Sequence, residues 1–218
     1  GHDVHAGAEG AETARGARRR RAPPMAVAGA ADVRLGREFL GVAPRTRFRH
    51  TDAMTRLFVA ILPPDDLLER FADVERPKDP GVKWVPQENL HITLRFLGDA
   101  DIDEVSDRLD HVLLPAATAV LGPAFDLLGE RSLITPVAGV DELAAVVQQA
   151  VRGLGTERER TRFRGHITVA RLARHARPRR SAGRPFEASF DVDEVALVAS
   201  TLRDTGAVYE TVATWPTR

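Results

Sequence analysis

Cysteine is absent from the 218 residues, which excludes thiol catalysis, disulfide staples and thiolate-bound metals. Net charge is absent too. Lys and Arg total 31, and so do Asp and Glu, so no global field draws the chain onto nucleic acid or a membrane surface, and any RNA contact must be local. No apolar run approaches the roughly 18 residues that a membrane-spanning helix needs, and no charged-then-apolar N-terminal segment reads as a cleavable signal. These absences point to a soluble protein of a reducing cytoplasm. What is present is ordinary globular material: 43% hydrophobic and 28% charged residues, enough to build a substantial core.

Residues 1–53 differ from the remainder. They carry Arg18, Arg19, Arg20 and Arg21, an Ala/Gly-rich stretch and no sustained apolar period, and hold ten Arg against six acids. The rest of the chain is therefore mildly acidic. Such a tail reads as a solvated, disordered extension rather than an RNA-attracting arm. Met54 opens Met-Thr-Arg-Leu-Phe-Val-Ala-Ile-Leu-Pro-Pro, which would make a natural protein start. Residues 1–53 are accordingly expected to be a non-native or disordered extension, and 54–218 the catalytic domain.

Within that domain, Arg56 to Leu62 is β-branched and aromatic and predicts a buried strand. Pro63-Pro64-Asp65 then stops it and opens a helix through Phe71. His91 to Leu97 alternates and ends at Gly98-Asp99, a second strand. Ile102, Val105, Leu109 and Val112 are spaced for a helix reaching Leu114. The order then returns: a strand over Ser132 to Val140, a helix capped by Asp141 and carrying Leu143, Val146, Val147 and Val151, and a strand from His166 to Leu172. Phe186 to Phe190, Val195 to Ser200 and Val208 to Thr214 are further strands. The class is α+β with mixed or antiparallel sheets.

Two tetrapeptides 75 residues apart repeat: His91-Ile92-Thr93-Leu94 and His166-Ile167-Thr168-Val169. In a strand, alternation puts His and Thr on one face and the apolar residues on the other. Two such strands side by side would set two imidazoles and two hydroxyls around one phosphate-sized cleft. Opening a cyclic phosphodiester needs a base for water and an acid for the departing oxygen. Histidine serves both, since its unperturbed pKa of about 6.5 allows one neutral and one charged ring near neutrality. Thr hydroxyls can bond non-bridging oxygens as charge builds. The scheme requires no metal and no cofactor. A lone His in a strand is more often a surface residue; it is the matched pair that carries weight.

These residues resemble the two-histidine phosphoesterase superfamily, specifically the RNA 2',3'-cyclic phosphodiesterases also called 2'-5' RNA ligases (ThpR or LigT type). Beyond the two motifs, the resemblance includes Arg56-Leu57-Phe58-Val59-Ala60, Val82-Lys83-Trp84-Val85-Pro86, Asn89-Leu90-His91 and Phe96-Leu97-Gly98. It continues through Phe163-Arg164-Gly165-His166, Ala170-Arg171, Ser200-Thr201-Leu202 and Gly206-Ala207-Val208-Tyr209. It implies a bilobal pseudo-symmetric fold, each lobe an antiparallel or mixed sheet with flanking helices, donating one motif to a central groove. It implies His91 as proton donor, His166 as proton acceptor, and Thr93 and Thr168 as phosphate ligands, with a 2'-phosphomonoester as product. Arg171 joins the phosphate site on the same ground. Many relatives carry Pro before the second His, where this chain has Gly165, a change that would loosen the strand start without removing a reacting group.

The implied partners are RNA with 2',3'-cyclic phosphate termini, tRNA fragments among them, or small cyclic nucleotides. A monomer without membrane attachment is expected. Trp84, Phe96 and Tyr209 are candidate base-stacking residues, more simply read as core. His111 and His175 have no partner motif. The Arg174–Arg180 stretch reads as a loop beside the cleft, RNA-facing or merely solvated. Competing readings are the same fold on another cyclic nucleotide or a 2'-5' oligonucleotide, and a binding module without turnover. A metallohydrolase is disfavoured by the His spacing and ATP-dependent ligation by the lack of a Gly-rich phosphate loop followed by Lys.

Overall fold

A computed structural model describes residues 55–159, 162–203 and 206–218. The expectations for residues 1–53 lie outside the described residues. In chain order the strands and helices are β1 (Thr55–Ile61), α1 (Asp65–Ala72), β2 (Val82–Trp84), β3 (Ile92–Ala100), α2 (Ile102–Asp110), β4 (Ala117–Leu121), β5 (Asp126–Leu128), β6 (Ser132–Ala138), α3 (Asp141–Ala150), β7 (His166–Leu172), β8 (Ala188–Val192), β9 (Glu194–Arg203) and β10 (Gly206–Pro216).

The described strands hydrogen-bond in the path β10-β9-β1-β3-β7-β6-β4-β8, with β2 also on β7 and β5 also on β6. Every registered pair of strands is antiparallel. The α+β, sheet-dominated class agrees with the sequence reading. Three strands of the path lie on either side of the β3–β7 pair, which is registered only at Ile92↔Ile167. The repeat seen in the sequence is expressed on these two strands. Residues 91–97 and 166–172 share one burial pattern, buried at the second, fourth, fifth and seventh positions and open at the first, third and sixth.

That pattern departs from strict alternation because each strand bulges after its Thr. Thr93 faces Ala60 and Arg95 faces Val59, leaving Leu94 as the extra residue. On β7, Thr168 faces Ile134 and Ala170 faces Leu133, leaving Val169 extra. A bulge turns the residues beyond it to the other phase of the pleat. The bulged Leu94 carbonyl does not go unsatisfied, since it accepts a hydrogen bond from Gln148 Nε2 of α3 at 3.0 Å.

The helices cover one face of the sheet. Leu67 and Phe71 of α1, Val105 and Leu109 of α2, and Leu143, Ala144 and Val147 of α3 join Leu57, Val59, Ile61, Ile92, Ile167 and Leu197 in the main core. The opposite phase of β1 and β9 makes a second, smaller cluster of Phe58, Ala60, Ala196 and Val198, with Phe96 and Tyr209 against it. This island lies on the motif side, since Phe58 faces Phe96 and Ala60 faces Thr93 in register.

Several expectations shift. α2 ends at Asp110, short of Leu114, because Leu114 precedes Pro115 and is pushed out of helical backbone. Asp141 does not cap α3. Val140 holds the cap position without a side-chain bond and Asp141 lies in the first turn, where its charge still suits the helix dipole. The strand expected at Phe186–Phe190 begins two residues later, at Ala188, while Phe186 packs into the core. β2, β4 and β5 were not anticipated. β4, Ala-Thr-Ala-Val-Leu, is Ala-rich and carries little strand propensity.

Candidate active site

The antiparallel β3–β7 pair places the residues that flank Ile92 and Ile167 on the face opposite the main core, so His91, Thr93, His166 and Thr168 emerge together. All four line one groove of about 640 Å3, and so does Arg171. The two imidazoles are fixed alike. His91 Nδ1 is 2.8 Å from the Asn89 carbonyl and His166 Nδ1 is 2.7 Å from the Arg164 carbonyl, in each case the oxygen two residues before the ring. A carbonyl can only accept, so Nδ1 donates in both rings. Proton exchange with a ligand therefore falls to Nε2 in both.

Asn89 is itself held, its side-chain amide donating to the Ala207 carbonyl at 3.1 Å. The His91 ring packs at 4.7 Å from the Phe58 ring and edge-on to Tyr209 at 5.3 Å, while Phe58 and Tyr209 meet edge-on at 5.0 Å. Burial against this aromatic island lowers the His91 pKa. The Asn89 carbonyl works in the opposite direction, and the positive charges of Arg171 and His166 lower it further.

Arg171 is exposed and donates to Ser132 Oγ at 3.2 Å. It reaches the groove because of the Val169 bulge: without the extra residue, Arg171, three positions after Thr168, would point to the other face. Gly165 does not loosen the start of β7. It is buried, its carbonyl accepts from Val137 N at 3.0 Å, and a Cβ there would lie 2.4 Å from the Val137 oxygen. At the far end of β3, Gly98 adopts φ +70°, and a Cβ on it would lie 2.6 Å from Thr156 Oγ1. That close approach lets the segment after α3 staple onto the strand, through Glu157 N to the Leu97 carbonyl at 2.9 Å. Arg95, 7% exposed, completes the staple by donating to the Glu157 and Arg158 carbonyls at 3.0 and 3.2 Å.

Phe96 and Tyr209 line the groove and Trp84 a neighbouring recess. His111 and His175 line neither; His111 bonds the Asp107 carbonyl at the end of α2. The Arg174–Arg180 loop is pinned by Asp79, 9% exposed, which accepts from Arg180 Nε at 3.1 Å and Ser181 Oγ at 3.0 Å. Among the described residues no group of His, Asp and Glu is arranged to hold a metal ion. The sequence reading missed Phe58, the two orienting carbonyls and Arg95.

The model of the LigT like phosphoesterase family matches residues 61–119. An RNA 2',3'-cyclic phosphodiesterase of Archaeoglobus fulgidus is 34% identical over 132 residues, 55% of this chain and 73% of that protein. One from Thermus thermophilus is 30% identical over 177 residues, 71% of this chain and 86% of that protein. The crystal structure of E. coli LigT complexed with 3'-AMP superposes with a TM-score of 0.60 at 28% identity, covering 75% of this chain and 98% of that one. With its two matched motifs on adjacent strands, the chain belongs to the LigT-like family of two-histidine phosphoesterases.

Proposed function

We propose that residues 54–218 hydrolyse RNA 2',3'-cyclic phosphate ends to 2'-phosphomonoesters, with His91 as proton donor and His166 as proton acceptor. The observation that carries this reading is the pair of imidazoles on one face of adjacent strands, each with Nδ1 tied to its own backbone carbonyl. Similar proteins from Archaeoglobus fulgidus and Thermus thermophilus bear the name RNA 2',3'-cyclic phosphodiesterase, and E. coli LigT has been crystallised with 3'-AMP.

In the proposed step His166 Nε2 takes a proton from water as the water oxygen forms a new bond to phosphorus. The P–O3' bond breaks, and His91 Nε2 delivers a proton to O3'. The product carries a free 3'-hydroxyl and a 2'-phosphate. Each proton transfer contributes roughly 10²- to 10⁴-fold. Thr93 and Thr168 donate to the non-bridging oxygens, where charge accumulates in the transition state, while Arg171 lies three residues beyond Thr168 on β7. The step runs through side chains alone.

His91 must be charged to act as donor, yet in the ligand-free protein burial and its cationic neighbours favour the neutral ring. An anionic phosphodiester between the histidines offsets Arg171 and His166 and favours the imidazolium. The acid is thus charged by the substrate it serves. With a 5'-hydroxyl in place of water, the same forward step forms a 2'-5' linkage without ATP as the P–O3' bond breaks and O3' takes the proton from His91; its reverse cleaves that linkage. No helix of the described residues is long and apolar enough to cross a membrane, and we place the reaction in the cytoplasm, carried out by a monomer on RNA ends such as tRNA fragments or on small cyclic nucleotides.

The test is incubation with EDTA and a short RNA ending in a 2',3'-cyclic phosphate, beside His91→Ala and His166→Ala. Ring opening to a 2'-phosphate that both substitutions abolish supports the reading. Tight RNA binding without turnover by the folded protein would replace it with a binding module.

A further inference from the structure

Beside the groove lies a recess of about 200 Å3 that shares His91, Thr168, Arg171 and Tyr209 with it. The remaining wall supplies donors. Lys83 lines it, and so does Trp84, whose indole N–H is buried and without a partner. Among the described residues, no Asp or Glu lines the recess.

β2 runs antiparallel to β7 with Lys83 directly opposite Arg171, and both residues are exposed. Like charges directly opposite one another destabilise a sheet. Neither cation is paired with a carboxylate among the described residues; Arg171 bonds the neutral Ser132 hydroxyl. Two cations held face to face, with no described carboxylate paired to either, make a site that an anion relieves.

The position says which anion. The Lys83–Arg171 pair lies three residues beyond Thr168, up to about 10 Å along the strand, so it is displaced from the phosphate held between the two histidines. A chain whose cyclic end lies between His91 and His166 can run past Tyr209 into the recess and bring its next phosphate to this pair. We infer that Lys83 and Arg171 together hold the phosphodiester one nucleotide upstream of the cyclic end, so that the protein selects oligonucleotide ends over mononucleoside cyclic phosphates. The inference rests on the cyclic phosphodiesterase reading above.

The test uses two dinucleotides, each ending in a 2',3'-cyclic phosphate and 2'-O-methylated on the upstream ribose. One has an ordinary anionic internal phosphodiester and the other a neutral methylphosphonate. kcat/KM is measured for both with the wild type, Lys83→Gln and Lys83→Arg. The wild type is expected to favour the anionic dinucleotide by roughly tenfold or more, the increment of one charge-assisted hydrogen bond. Lys83→Gln should lose most of that preference and Lys83→Arg should restore it, with unchanged melting temperatures showing that both variants fold. Equal rates on the two dinucleotides, or a preference that Lys83→Gln leaves intact, would overturn the inference while the cyclic phosphodiesterase reading stands. No turnover of either dinucleotide by the folded wild type would sink that reading, and the subsite with it.

Discussion

Ile92 of β3 lies directly opposite Ile167 of β7, and both side chains are fully buried. This is the one registered pair between the strands that carry the histidines, so the spacing of the reacting groups depends on how these two residues pack. Ile92→Ala should cost about 2–5 kcal/mol of stability and lower kcat as the motif strands lose their common footing. Ile167→Val should cost only about 0.5–1.5 kcal/mol and leave turnover nearly intact. Urea unfolding and steady-state kinetics on the same preparations separate the two effects. A stable Ile92→Ala protein with normal kcat would show that the pair does not set the geometry.

Thr93→Val and Thr168→Val preserve side-chain shape while removing the hydroxyl. If those hydroxyls bond oxygens that gain charge in the transition state, each substitution should reduce kcat roughly ten- to a hundredfold, with KM changing less. A rise in KM at constant kcat would instead mean that they bind substrate and transition state equally.

The depressed pKa of His91 makes a signed prediction for stability. In the unfolded chain the ring titrates near about 6.5, whereas the folded protein favours it neutral. The folded state therefore binds fewer protons. This contribution is complete above the unfolded value and is lost as the pH falls through it toward the lowered folded one. His91→Gln should flatten the loss of stability between about pH 7 and pH 5, read by urea titrations across that range. In the wild type, adding a substrate-like nucleotide 2'-phosphate should raise the His91 value in an NMR titration.

Asp79 makes the complementary prediction. Burial pushes its carboxyl up, but hydrogen bonds from Arg180 and Ser181 and the Arg180 charge outweigh that and hold it below its ordinary value. Its contribution is present above the unfolded carboxylate pKa and disappears as pH falls through the folded one. Asp79→Asn should release the Arg174–Arg180 loop, making it a faster trypsin target at neutral pH. Acid should produce the same sensitivity in the wild type. Equal cleavage rates in the two proteins at pH 7 would show that the loop is held by other contacts.

What could be read from the sequence follows from what strand periodicity encodes. His91, Thr93, His166 and Thr168 were legible because alternation assigns a face to each residue and the second motif repeats the first. Phe58 was legible as core but not as the ring beneath His91, because that contact depends on the register of β1 against β3. The Asn89 and Arg164 carbonyls are backbone groups and carry no residue signature. Lys83 became conspicuous only when β2, too short to announce itself, was found paired on β7. The α2 boundary was readable from Pro115 but was overridden by the apolar spacing that continues to Val112.

The extra residue after each Thr has a consequence for how this chain tolerates change. Val169 works as a frame marker: everything before it on β7 is read in one phase and everything after in the other. A deletion of one residue between Thr168 and Arg171 would keep every functional side chain in the sequence and still scramble the site. The guanidinium would be turned into the core and the leucine behind it out to the substrate. Point substitutions along β7 are graded perturbations, but a shift by one residue is all or none.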